Sequence, residues 1–209
     1  FPPINRSGTH RTAAFVRGLD RLGWQAVVLT VAPPPHESLD PLLMAEVPAS
    51  TEVIRVQWTR PFDSLVRQLR ACLSVITCSE ASSSIPTQAR KSGASNQSFA
   101  RGMAGLLATP DSRVGWIVPA VWRGLGVIRR RRPEMIYSTS PYASAHLIAL
   151  VLNRLTGIPW VADFRDPWCG NPFLQSRPRI VERVDAWLER CVLKHASRVI
   201  CNTPTMTRS

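Results

Sequence analysis

The sequence predicts an α/β domain organised around a doubly wound parallel sheet. Short apolar runs alternate with longer amphipathic ones, the succession that strand–helix–strand units produce. Several short runs are apolar through their centres, as strands buried on both faces must be. Polar stretches marked by Gly and Pro fall where strands hand over to helices, and open parallel sheets gather their ligands there. With 209 residues, 44% of them hydrophobic, the chain can bury the core of one such domain.

The elements follow in order from local pattern. Ser7-Gly8-Thr9 is a loop feeding a helix from Arg11 to Leu22, with Ala14, Phe15, Leu19 and Leu22 at helical spacing and expected to face the core. Gly23 ends that helix as its C-terminal cap. Trp24 to Thr30 reads as a strand, and Pro33-Pro34-Pro35 breaks the pattern after it. Thr51 to Gln57 alternates and reads as a second strand, nearer the sheet edge. A helix is expected from Pro61 to about Cys78, with Phe62, Leu65, Leu69 and Leu73 inward. The Ser-, Gln-, Ala- and Gly-rich stretch beyond it is expected to be a flexible insertion, over about 79–109, that holds no site.

Order resumes at Pro110-Asp111-Ser112-Arg113-Val114-Gly115-Trp116. Trp116 to Ile128 is an amphipathic helix candidate, with Trp116, Val121, Trp122, Leu125 and Ile128 as its apolar residues, running into Arg129-Arg130-Arg131-Arg132. That basic end suits an anionic membrane surface. It equally suits a solvated helix C-terminus, where cations favour the dipole. Pro133 to Ser138 is a strand, Ser138-Thr139-Ser140-Pro141 a hydroxyl-rich turn, and Ala143 to Leu155 a helix. The turn can cap that helix or receive an anion on its exposed N–H groups. Gly157-Ile158-Pro159 stops the helix, and Trp160-Val161-Ala162 is a short buried strand. Arg179 to His195 is a further helix, with Val184, Trp187, Leu188, Cys191 and Val192 on one side, and Ser197 to Cys201 is the last strand. Asn202-Thr203-Pro204 reads as one more strand-to-helix turn.

The strand at Trp160 ends in Asp163-Phe164-Arg165-Asp166-Pro167-Trp168. It delivers two carboxylates, a guanidinium and an aromatic plane to the crevice beyond the sheet. The alternative is a salt-bridge cluster that only shapes a loop. The Gly8 loop, Ser138–Pro141, Asp163–Trp168 and Asn202–Pro204 are each at a strand-to-helix junction or a helix start, so they are expected to meet on one rim.

Composition narrows the partners. The formal charge is +12, from 26 Lys and Arg against 14 Asp and Glu, with Arg far in excess of Lys. Such a balance favours phosphates, nucleotides or acidic lipid surfaces, although a coding bias towards Arg gives the same count. The basic residues are scattered without an aromatic-basic platform, so nucleic acid is not expected. Cys72, Cys78, Cys169, Cys191 and Cys201 form no Cys-x-x-Cys pair and no metal-like spacing with the four histidines. They are expected to be reduced thiols of a cytosolic protein, with no metal. No apolar run approaches the roughly 20 residues of a membrane span, and Phe1-Pro2-Pro3-Ile4 does not read as a signal peptide. The chain opens without Met and stops soon after Asn202, so a fragment at both ends is expected.

Taken together, these junctions resemble the N-terminal domain of glycosyltransferase family 4-like proteins, which have the GT-B fold. The matching pieces are Phe1-Pro2-Pro3 with Gly8 and Arg11, Leu22-Gly23-Trp24 with Val28-Leu29-Thr30, Pro110-Asp111 with Arg113 and Gly115-Trp116, Tyr137-Ser138-Thr139-Ser140-Pro141 with His146, Gly157 to Trp168, and Asn202-Thr203. They cover nearly the whole chain apart from the Ser-rich stretch. The resemblance implies a retaining transferase of two Rossmann-like halves, in which the N-terminal half binds a glycan or lipid-linked acceptor. The second half, which binds the nucleotide-sugar donor, is expected to be absent here, leaving residues 1–209 as a single domain inactive alone. The resemblance further implies no cofactor beyond the nucleotide-sugar co-substrate, no obligatory metal, and work on cell-surface glycans at the cytoplasmic face of the membrane. Gly8 matches the glycine loop near the donor phosphates, and Arg11 opens the helix after it. Asp166 is the best match to the residue near the reacting sugar, with Asp163 second. The implied substrate-binding set is Gly8, Arg11, Ser140, Arg165, Trp168 and Asn202.

Rival readings fail on missing motifs or stay open. A nicotinamide-dependent oxidoreductase wants Gly-x-Gly-x-x-Gly, which Ser7-Gly8-Thr9-His10-Arg11 does not supply. A Walker-type nucleotidase wants Gly-Lys-Ser/Thr, which does not occur. A non-catalytic module that binds an acceptor or docks on a membrane remains the alternative.

Overall fold

The computed structural model describes residues 1–5, 7–33, 38–57, 109–170, 177–204 and 206–207. The helix expected over Pro61–Cys78 lies outside the described residues, as does the expected insertion except for Thr109. The described chain runs α1 (Ser7–Arg21), β1 (Val27–Val31), a 3-10 turn (Pro41–Glu46), β2 (Glu52–Val56), a second 3-10 turn (Val114–Trp116), α2 (Ile117–Arg131), β3 (Ile136–Thr139), α3 (Ala143–Thr156), β4 (Trp160–Phe164), α4 (Arg179–His195) and β5 (Arg198–Cys201). This is the expected α/β alternation, and every strand pair is parallel.

Among the described residues the strands form two sheets instead of one. β1 pairs with β2, while β3, β4 and β5 lie side by side with β4 central. The two sheets share one apolar core. Val56 of β2, Leu29 and Val31 of β1 and Ile136 of β3 all pack with Trp116, Ala120, Ile148 and Leu152 from α2, its approach and α3. The helices α2 and α3 approach closely at Gly124, where a Cβ would lie 2.8 Å from Leu152 Cδ1. A second cluster, built from Trp160, Ala162 and Phe164 of β4 with Ala149 and Val192, seats α3 and α4 on the same face of the three-stranded sheet.

Val121, Leu125 and Ile128 of α2 and Val192 of α4 pack on the core as expected, but in three helices the most deeply buried line differs in part from the stripe expected. In α1 the inward residues are Thr9, Ala13 and Val16 at i, i+4 and i+7, while Leu22 lies 76% exposed and Ala14 outside. In α2 the buried line is Ala120, Gly124 and Val127, and Trp122 faces solvent. In α4 the buried line is Val181, Asp185 and Val192, and Trp187 is exposed. The reason is common to all three. Small residues and one acid occupy much of the most buried line, so a search for large apolar side chains at helical spacing finds the flank of the buried face and adds exposed residues such as Leu22, Trp122 and Trp187. Gly157 behaves as expected: it closes α3 at φ +72°, a left-handed position that costs glycine little, with its N–H on Asn153 O at 2.8 Å.

Period-two alternation divides the polar groups of β3 and β4 between the two faces. Ser138 and Trp160 point to the α3 side. There Trp160 Nε1–H donates to Ser138 Oγ at 2.8 Å, and the same oxygen lies 2.8 Å from His146 Nδ1. The His146 ring stacks on Phe164 at 4.5 Å, fully buried, and its Nε2 has no hydrogen-bond partner among the described residues. Burial lowers the His146 pKa to about 4, against a small opposing pull from Asp163. The unfolded chain therefore binds this proton first as pH falls. Stability from a neutral His146 is complete above about pH 6.5 and declines towards pH 4, by on the order of 3 kcal/mol. Urea titrations across that range are expected to show this slope as the difference between the wild type and His146→Phe. Parallel pH profiles would refute the assignment.

Candidate functional site

The opposite face of β3 and β4 carries the other polar system, at the carboxyl ends of the strands. The register sets Thr139 beside Asp163, and alternation puts Tyr137 on the same side. Asp163 is wholly buried. Its Oδ2 accepts from Tyr137 Oη at 2.7 Å and from Thr139 Oγ1 at 2.8 Å. Arg11, one turn into α1, forks onto both carboxylate oxygens at 2.9 and 3.2 Å. Its other nitrogen, Nη1, donates to Asn202 Oδ1 at 3.2 Å. A buried carboxylate so surrounded is paid back in charge-assisted hydrogen bonds. The Tyr137 phenol has its pKa raised, by burial first and by Asp163 second, so it remains a donor across the ordinary pH range.

α1 meets the sheet with one of its faces. Gly8, Arg11 and Phe15 stand at i, i+3 and i+7. Arg11 takes Asp163, and Phe15 stacks on Tyr137 with ring centroids 4.4 Å apart. Gly8 lies under the Arg165 guanidinium, where a Cβ would come within 2.5 Å of Nη1. A Cβ at this position would push the guanidinium aside. Arg165 is placed in turn by Ser140, whose Oγ accepts the Arg165 N–H at 3.0 Å, while Ser140 N–H donates to Asp163 O at 3.1 Å. Among the described residues the Arg165 guanidinium has no carboxylate partner.

Six residues anticipated from sequence thus come together: Gly8, Arg11, Ser140, Asp163, Arg165 and Asn202. Two stand apart. Asp166 is exposed on the loop after β4, and no hydrogen bond or ion pair joins it to the cluster among the described residues. Trp168 turns the other way. It packs against the Trp160–Phe164–Val192 core and donates its indole N–H to Asp185 Oδ1 at 3.3 Å. Tyr137, Thr139 and Phe15 belong to the cluster and were not singled out. The signal for the first two was present, since alternation from Ser138 and parallel pairing with β4 put both beside Asp163. The helical spacing marks Phe15 only as an inward residue, and its stacking partner is set by how α1 lies on the sheet.

A rim with this make-up can hold an anion. It offers the first turn of a 15-residue helix, a glycine that keeps the backbone open, and a guanidinium directly above it. Arg11 is committed to Asp163, so Arg165 is the cation of the cluster that remains available. Asp163, with four donated bonds, is a fixed strut, whereas Asp166 is free to meet solvent. Replacing Asp163 by Ala would strand Arg11, Tyr137 and Thr139 together, and is expected to cost about 3 kcal/mol or more. Tyr137→Phe removes a single donor and is expected to cost about 1 kcal/mol. Arg11→Ala should fall between them, since its side chain is 41% exposed and solvent screens the pair. Guanidinium denaturation of the three variants checks that order, and an Asp163→Ala variant as stable as Tyr137→Phe would contradict it.

A family model described as a glycosyl transferase 4-like domain matches residues 8–209. No curated protein and no solved structure matches the chain significantly.

Proposed function

The chain belongs to the glycosyl transferase 4-like family, and from that premise we propose that it serves the transfer of a sugar from a nucleotide-sugar donor to a glycan or lipid-linked acceptor, with retention of anomeric configuration. The observation that carries the assignment to this rim is the seating of Arg165 over Gly8 at the start of α1. Glycosyl transfer passes through an oxocarbenium-like state as a bond to phosphate breaks. The leaving diphosphate gains negative charge as that bond lengthens. N–H groups at a helix start and a guanidinium already in position stabilise that charge without reorganising.

In this reading Gly8 and Arg165 meet the donor phosphates. Arg11, Ser140 and Asn202 hold the rim in shape around them, with Asp163 as the strut to which Arg11 is tied. Asp166 projects from the same loop and is the group left to face the sugar, where a carboxylate orients an acceptor hydroxyl or balances positive charge. Trp168 contributes from behind, by fixing the end of that loop. The reaction needs no group beyond the nucleotide-sugar itself.

A second observation favours work at the cytoplasmic face of an anionic membrane, in the synthesis of cell-surface polysaccharide or glycoconjugate. On α2, Val118 and Trp122 are 69% and 76% exposed, and with Arg129 they stand at i, i+4 and i+11 on one face. Among the described residues no helix is long and apolar enough to cross a membrane, so such docking is peripheral in this reading. Vesicles containing phosphatidylserine are expected to pull down the chain in low salt and to shift Trp fluorescence, with Trp122→Ala abolishing most of the binding. Equal sedimentation of wild type and variant would reject α2 as the contact.

The catalytic part is tested by Asp166→Asn in the intact enzyme. Turnover is expected to fall by at least about tenfold, equivalent to about 1.4 kcal/mol of barrier. A folded variant with undiminished turnover would remove Asp166 from the mechanism.

A further inference from the structure

The described first stretch of the loop that leaves β4, residues 165–170, is held at both ends, and the second hold lies away from the rim. At its start, Arg165 N–H is bound to Ser140 Oγ at 3.0 Å. Towards its end, Trp168 Nε1–H donates to Asp185 Oδ1 and Cys169 N–H to Glu189 Oε1, each at 3.3 Å. Asp185 and Glu189 are one turn apart on α4, so two acids on one helix face grip two consecutive residues of the loop. Asp185 is 4% exposed. Its other oxygen receives Arg177 Nη1 at 2.5 Å, and the same nitrogen reaches Pro110 O at 3.2 Å. Next to Pro110, Asp111 accepts from Ser144 N–H at 2.8 Å and so caps the first turn of α3, which follows Ser140. The two holds are therefore joined behind the loop by one chain of polar contacts.

Between the holds stand Arg165 and Asp166. Among the described residues no contact of its own side chain with another fixes Asp166, and the Arg165 guanidinium lies over the Gly8 backbone. Their placement is then a property of the loop's two anchors. We infer that Asp185 is a positioning residue: by holding the Trp168 indole and the Arg177 guanidinium together, it fixes where Arg165 and Asp166 stand on the rim. The inference rests on the proposed function for the use made of those two side chains, and on the hydrogen bonds alone for the hold itself. The competing account is that Asp185 is only a buried partner for Arg177, whose loss loosens the whole fold alike.

Amide hydrogen exchange on the whole chain separates the two. Asp185→Asn removes the charge facing Arg177, and Trp168→Phe removes the indole N–H, with some loss of ring packing, while leaving the ion pair intact. Both are expected to speed exchange at the Arg165 and Asp166 amides by about tenfold or more, with the Ala162 and Ile148 amides unchanged. Asp185→Glu, which keeps the charge, is expected to restore most of the protection. Uniform acceleration across the fold, or no change at Arg165 and Asp166 in Trp168→Phe, overturns the inference. Calorimetry with inorganic pyrophosphate, as a probe for the donor's diphosphate, gives the functional readout. Asp185→Asn is expected to weaken binding about fivefold, and unchanged affinity alongside a loosened loop counts against positioning. Failure of the wild-type chain to bind pyrophosphate would defeat the phosphate reading of the rim, and the exchange data alone then decide the role of Asp185.

Discussion

Everything on the rim depends on the contact between Arg11 and Asp163, in which one guanidinium nitrogen, Nη2, reaches both carboxylate oxygens. It joins residues 152 positions apart in the chain and ties α1 to the centre of the three-stranded sheet. The carboxylate is wholly buried while its partner's side chain is 41% exposed. The asymmetry matters. The acid side of the pair cannot turn to water if the arginine leaves, so the contact is far more costly to break than an exposed ion pair of the same length. Tyr137 and Thr139 share the load, which means that β3, β4 and α1 are fixed to each other at a single carboxylate. Arg165 can rest on Gly8 only because that strut sets the height of α1 above the sheet.

The β3–β4 pair shows how one short stretch of sequence serves two purposes. Tyr137, Thr139 and Asp163 face the rim cluster, while Ser138, Trp160 and Phe164 face α3. Both faces are polar in part, yet they differ in kind. The rim side holds a charge balanced by donors and partly open to water. The α3 side holds a neutral imidazole in an apolar setting, and burial keeps it neutral. A single-residue slip of β3 would exchange these two sets and place an acid's donors in the core.

The fold was legible where the backbone decides it. Strand runs such as Trp160-Val161-Ala162 and stops such as Gly157 act within a few residues, and the expected elements that lie among the described residues fall within a few positions of where they were expected. Helix faces were less legible. In α1, α2 and α4 the inward line is made of Ala, Gly, Thr, Val and Asp, whose burial is decided by a neighbouring helix or strand and not by hydrophobicity. The site divides along the same line. Gly8, Arg11, Ser140, Asp163, Arg165 and Asn202 could be gathered because each sits at a strand end or helix start of a parallel sheet. Trp168 and Phe15 could not be placed, because the direction of a ring depends on packing between elements far apart in sequence. Asp185 was hidden more thoroughly, as an acid on the buried side of a helix whose pattern suggests only an apolar face.

The union of the two sheets has a mechanical consequence. Among the described residues no ladder of hydrogen bonds joins β1–β2 to β3–β4–β5, and the bridge between them is the packing of α2 on α3 beneath both. Hydrogen-bond ladders resist shear because sliding breaks discrete bonds, whereas an apolar seam yields gradually and recovers. At Gly124 the two helices come close enough that an added Cβ would meet Leu152 Cδ1 at 2.8 Å. The residues that shape the rim cluster belong to the three-stranded sheet, its loops or α1, and α1 is tied to the approach of the smaller sheet by Arg17–Glu46 at 3.0 Å and by Ser50 Oγ–H donating to Asp20 Oδ1 at 2.6 Å, so a shift of the smaller sheet reaches the rim through α1.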